Sequence, residues 1–194
     1  MSNIRNQLTN LPNLVTMGRV LFVPGVLYFM DNYSPVRSLI AALLYLVASI
    51  GDGIDGYLAR SRNEVSVLGK FLDPVADKLM VAAALIVLVK LNLVDVFIAF
   101  IIIGREITIS ALREWMAQLG NSKSVAVSML GKFKTAFQMV AILFLLYQET
   151  LLGISTLWWG NLLMYLAAVL TLWSMVYYMM LAMPQILEKS RNQN

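Results

Sequence analysis

The sequence predicts an all-α polytopic membrane protein, with six transmembrane helices in one bundle and both termini in the cytoplasm. Three observations lead there. The 194 residues are 59% hydrophobic and only 13% charged, whereas soluble domains carry about 25% charged residues. Six apolar stretches approach the ~20 residues that a bilayer crossing needs, and short connections join them. Thirteen of the fifteen Lys and Arg residues fall at one set of span ends and only Arg37 and Lys90 at the other, which by the positive-inside rule sets both termini inside.

The spans follow one another along the chain. The opening decapeptide MSNIRNQLTN is polar, and no small-residue cleavage site follows an apolar run, so span 1 (12–30) is expected to be retained. Span 2 (37–59) closes on a glycine- and aspartate-rich run, and span 3 (69–90) opens on another. Span 4 (93–116) carries two arginines. Span 5 (127–147) opens with Gly131-Lys132-Phe133-Lys134-Thr135. Span 6 (157–184) begins beside Trp158 and Trp159, a pair suited to an interfacial belt. Residues 1–194 are expected to form a single membrane domain, with a juxtamembrane segment over about 1–11.

Composition also bounds the chemistry. The chain has no Cys and no His. Disulfides, thiolate or imidazole metal sites, Cys nucleophiles and His acid–base catalysis are thereby excluded. Any metal must be held by oxygen, which favours hard cations such as Mg2+, Ca2+ or Mn2+. A net charge of +4 suits anionic headgroups or phosphorylated substrates, and so apolar a chain is no nucleic-acid binder.

Four carboxylates stand at the inner ends of spans 2 and 3. Asp52 and Asp55 are three residues apart and Asp73 and Asp77 four apart, so each pair shares one helix face. A hairpin turning near 61–67 would bring the pairs together. Four carboxylates in one site repel, and two divalent cations would match their charge. Gly56, Ala59 and Gly69 lie on the same faces, where small residues permit close helix approach or leave room for a nucleotide. Arg60 suits a bidentate phosphate contact. In span 4, Arg105 and Arg113 are eight residues apart, roughly 80° around an ideal helix, so both can face one cavity. Glu106 is available to pair with or orient a basic side chain. Lys132 and Lys134 lie on different sides of span 5, so one of the two is the better candidate for a substrate contact.

The run Asp52-x2-Asp55-Gly56-x2-Ala59-Arg60-x8-Gly69-x3-Asp73-x3-Asp77 resembles the signature of the CDP-alcohol phosphotransferase family, with every fixed position occupied. The resemblance implies that Asp52, Asp55, Asp73 and Asp77 hold two divalent cations, Mg2+ or Mn2+, with Asp77 also the candidate catalytic base. It assigns CDP contacts to Asp52, Gly56, Ala59, Arg60 and Gly69. The shorter pattern Asn13-x2-Thr16-x2-Arg19 resembles a family element lining the nucleotide site, which adds Thr16 and Arg19. One departure is the glycine on each side of Asp52, where relatives often have bulkier neighbours.

The stretches GKFLDPVADKLMVAAALI, GREITISALREW and SVAVSMLGKFKTAFQMVAI are most similar to family members that make phosphatidylglycerophosphate. This resemblance covers essentially the whole chain. It implies CDP-diacylglycerol as phosphatidyl donor and sn-glycerol 3-phosphate as acceptor, the latter held by Arg105, Arg113, Lys132 and Lys134. It also implies a homodimer in a bacterial inner membrane, with its site facing the cytoplasm. A sibling enzyme with phosphatidylglycerol, inositol phosphate or serine as acceptor stays open, as does, more distantly, a divalent-cation transporter.

Overall fold

A computed structural model describes residues 11–31, 33–61, 67–118 and 129–191. They form six α-helices: α1 (Leu11–Phe29), α2 (Pro35–Ser61), α3 (Val67–Lys90), α4 (Val96–Gln118), α5 (Met129–Tyr147) and α6 (Thr156–Arg191). The class is all-α, as expected.

Local chemistry sets the helix ends. Pro35 opens α2, where its missing N–H costs nothing, and the Ser34 carbonyl accepts from the Ser38 amide at 2.8 Å. α3 stops in a Schellman arrangement: Asn92 has φ 56°, the Leu93 amide donates to the Leu88 carbonyl at 2.9 Å and the Asn92 amide to that of Val89 at 3.0 Å. Asp95 caps α4, its Oδ1 accepting from the Phe97 amide at 2.7 Å. Span 4 therefore begins three residues later than the hydropathy suggested.

Between α5 and α6 lies a feature the sequence reading did not contain. Strands β1 (Thr150–Leu151) and β2 (Ile154–Ser155) pair antiparallel, Thr150 with Ser155 and Leu151 with Ile154. Leu152 and Gly153 both have positive φ, 51° and 81°, as a two-residue hairpin loop of the primed type requires. The last helix also runs to Arg191, beyond the expected end at 184, because Pro184 is carried inside it.

The helices pack α1 against α2 and α3, α2 against α5, α3 against α4, and α6 against α5 and α4. Gly160 permits a close approach of α6 to α5: a Cβ there would sit 2.8 Å from Leu145 Cγ. The described core divides in two. A large cluster, including Ala41, Tyr45, Leu85, Leu88, Ile102, Ile142 and Leu145, fills the half of the bundle near the α1–α2 and α3–α4 turns. A small cluster of Ile109, Leu112, Met116, Tyr178 and Ala182 joins α4 to α6 in the other half. At the α1–α2 end, Lys90 pairs with Asp31 at 2.5 Å and Tyr33 donates to Glu149 at 2.6 Å.

Large apolar side chains are exposed on all six helices, among them Leu21, Leu43, Ile86, Phe97, Phe100, Phe133 and Trp173. Among the described residues one helical segment, Thr156–Pro184, is long and apolar enough to cross a membrane, with mean hydropathy 1.8. Shorter apolar runs are Met17–Phe29, Pro35–Gly51 and Phe133–Tyr147. In α3 and α4 the apolar runs are interrupted by Asp77, Lys78, Arg105 and Glu106.

Candidate active site

Between the two apolar clusters lies a layer of polar side chains contributed by five helices: Arg19 from α1, Arg105 from α4, and Lys134 and Gln138 from α5 are buried, while Ser49 from α2, Asp77 from α3 and Glu106 from α4 are half-buried. A cavity of about 140 Å3 opens within it, lined by Arg19, Ser49, Asp77, Lys78, Glu106, Thr135 and Gln138 together with Tyr45, Met80, Val81 and Met139. A second and larger cavity, about 670 Å3, is lined by Pro74, Lys78, Ser110, Arg113 and Glu114 with Val75, Ile107 and Ala111. Lys78 borders both.

On the acidic side, Asp77 forms an ion pair with Arg19. The arginine side chain is 6% exposed and the aspartate 45% exposed, so the carboxylate keeps a face toward the cavity while the guanidinium is enclosed. α2 carries Asp52, Asp55, Gly56, Ala59 and Arg60, and α3 carries Gly69 and Asp73. The side chains of these seven, with those of Thr16 on α1 and Lys132 on α5, lie outside the described residues.

On the basic side, two cations gather about one carboxylate. Glu106 Oε2 accepts from Arg105 Nη1 at 2.6 Å and from Lys134 Nζ at 3.0 Å. Arg105 Nη2 also donates to Ser174 Oγ on α6 at 3.3 Å. Arg113 lies over the Tyr178 ring, 5.5 Å from its centroid, a cation–π contact. Lys134 is 1% exposed and Arg105 6%. Among the described residues, Nε of Arg105 and Nε of Arg113 are buried without a hydrogen-bond partner. Arg105 and Arg113 thus meet α6 one turn apart, at Ser174 and Tyr178. Arg113 lines the larger cavity, and Arg105 lines neither of the two.

Several residues that line the cavity were not among the site candidates of the sequence: Ser49, Lys78, Thr135 and Gln138. A signal existed. Gln138 follows Lys134 by four residues and so shares its helix face, and Ser49 precedes Asp52 by three.

The donor set fits a hard divalent cation. No His or Cys competes, the candidate ligands are carboxylates, and the one whose side chain is described, Asp77, presents an accessible oxygen face at the cavity.

A helical bundle in which Arg105 and Lys134 share one carboxylate, Glu106, beside a cavity that Asp77 also lines suits a class of protein that handles phosphorylated substrates. The family described as CDP-alcohol phosphatidyltransferase matches residues 9–173. The chain belongs to that family and is an enzyme of that class; the family generally uses divalent cations. Proteins of Escherichia coli strain K12, Shigella flexneri serotype 5b and Shigella boydii serotype 4, each called CDP-diacylglycerol–glycerol-3-phosphate 3-phosphatidyltransferase, are 45% identical to it over 186 residues. The match covers 93% of this chain and 98% of each relative.

Proposed function

We propose that this chain transfers the phosphatidyl group of CDP-diacylglycerol to sn-glycerol 3-phosphate, releasing CMP and forming phosphatidylglycerophosphate for phospholipid synthesis. The full-length relatives bear the name of that reaction. In this chain, the observation that carries the acceptor assignment is the charge imbalance of the basic cluster: Arg105 and Lys134 share the carboxylate of Glu106, and Arg113 adds a further positive charge two turns along α4. Buried cations in excess of their counter-charges bind an anion, and the acceptor's phosphate is that anion. Arg105, Arg113, Lys134 and Lys132 form its site in this reading.

Asp52, Asp55, Asp73 and Asp77 would hold two divalent cations, Mg2+ or Mn2+, which when bound neutralise charge on the pyrophosphate and on the departing CMP. Thr16, Arg19, Asp52, Gly56, Ala59, Arg60 and Gly69 receive the CDP moiety. Arg19 then exchanges its pair with Asp77 for a phosphate oxygen, which frees the carboxylate. Asp77 takes the proton from an acceptor hydroxyl. The oxygen attacks the phosphorus that carries diacylglycerol, the new P–O bond forms, and the bond to CMP breaks.

Residues 1–194 make one domain in this reading, which crosses a bacterial inner membrane six times as a homodimer. Both termini and the site face the cytoplasm. Exposed apolar side chains on all six helices support lipid as the solvent, and the uneven Lys and Arg distribution supports the orientation. The chain has no cysteine, so Leu152→Cys gives a single labelling site. Membrane-impermeant maleimide should reach it from outside intact spheroplasts. Labelling only after lysis would reverse the topology.

The activity is tested by incubating purified protein with CDP-diacylglycerol, Mg2+ or Mn2+ and one acceptor at a time. CMP release is expected with glycerol 3-phosphate and not with inositol phosphate, serine or phosphatidylglycerol. Turnover with one of those instead overturns the acceptor. Cation flux into proteoliposomes without CMP release overturns the enzyme.

A further inference from the structure

We infer that Gln138 is a specificity-determining residue that reads the secondary hydroxyl of the acceptor, an inference that rests on the glycerol 3-phosphate reading above. Gln138 lies on α5 one turn beyond Lys134, is 3% exposed, and lines the 140 Å3 cavity with Asp77 and Glu106. Its side-chain carbonyl oxygen is buried without a hydrogen-bond partner among the described residues. Buried amide oxygens are nearly always satisfied, and one that borders a cavity is satisfied by whatever fills it.

The chemistry of that atom selects the occupant. A carbonyl oxygen accepts hydrogen bonds and cannot donate. It repels a phosphate oxygen and meets a hydroxyl well. The acceptor's phosphate belongs with Lys134 and its neighbours, and its reacting hydroxyl with Asp77. Gln138 lines one cavity with Asp77 and with Glu106, the carboxylate that Lys134 pairs with, and the middle carbon of a three-carbon polyol reaching from one to the other falls beside it. The volume is roughly ten times the ~10–15 Å3 that one water needs, enough for such a backbone. Gln138 Oε1 therefore accepts from the secondary hydroxyl, and an acceptor lacking it leaves a buried oxygen unmatched.

The test compares sn-glycerol 3-phosphate with 3-hydroxypropyl phosphate, which keeps the terminal hydroxyl and the phosphate and lacks the secondary hydroxyl. With saturating CDP-diacylglycerol, the unmodified protein should lose about 10- to 100-fold in kcat/KM on the analogue. Gln138→Met keeps the length and removes the acceptor atom. It should lose a similar factor on glycerol 3-phosphate, become nearly indifferent between the two acceptors, and keep its KM for CDP-diacylglycerol. Gln138→Glu retains an acceptor oxygen and should retain the discrimination even at reduced rate. Equal losses on both acceptors in Gln138→Met, or discrimination abolished in Gln138→Glu, would overturn the assignment while leaving the acceptor reading intact. Failure of the unmodified protein to use glycerol 3-phosphate would overturn both.

Discussion

Glu106 holds the basic cluster together, so neutralising it has a consequence that can be sized. In Glu106→Gln the side chain keeps its shape and loses its charge. Arg105 and Lys134, with side chains 7% and 1% exposed, are left without their counter-charge. Removing one partner of a buried pair costs ~3–5 kcal/mol. The amide keeps a neutral acceptor, worth about half a charge-assisted bond, and the Glu106 side chain is 32% exposed, so water screens part of the loss. The net cost is about 2–3 kcal/mol. For a chain of this size each kcal/mol moves Tm by ~2–4 °C, so the apparent Tm in mild detergent should fall by about 4–12 °C. Inorganic phosphate supplies the missing negative charge, and it should raise Tm more in the variant than in the unmodified protein. Gly104→Ala is the control, since a Cβ there meets nothing within 4 Å. A variant that melts within a degree of the unmodified protein, or gains no extra protection from phosphate, would refute the charge-balance reasoning.

Three further outcomes are expected. Lys134→Met should raise KM for glycerol 3-phosphate about 10- to 100-fold, the worth of one charged hydrogen bond, with KM for CDP-diacylglycerol unchanged in the same assay. Gly160→Val should destabilise by about 1–3 kcal/mol, seen as a lower detergent Tm, because Leu145 stands 2.8 Å from the new Cβ and is itself buried. The Lys90 hydrogen bond and charge hold the Asp31 carboxyl below its ordinary value. Its stabilisation is therefore present above the unfolded carboxylate pKa and is lost as pH falls through the lowered folded value. The Tm difference between the unmodified protein and Asp31→Asn should be small at pH 7, because the pair is exposed, and should vanish on acidification.

Much of the architecture was legible because lipid-compatible helices write themselves as long apolar runs. The boundaries missed are those set by single residues. Asp95 delays α4 by accepting from the Phe97 amide, and Pro184 does not end α6. The Leu152-Gly153 turn was hidden because its first residue adopts positive φ without being glycine, asparagine or aspartate. In the site, spacing along one helix announced that the two arginines share a face. It could not say what faces them. The rotation that lets Arg105 and Arg113 look the same way turns both toward α6, where Ser174 and Tyr178 receive them. Of the two candidate lysines, Lys134 is 1% exposed and pairs with Glu106, 28 residues earlier. Gln138 stands four residues from Lys134, an offset that puts both on one face of α5.

The tight reversal between α5 and α6 has a consequence for the path of the chain. Leu152 and Gly153 alone turn it, so the last helix must return alongside the one before it rather than cross the bundle. That return carries Ser174 and Tyr178 to where they receive Arg105 and Arg113.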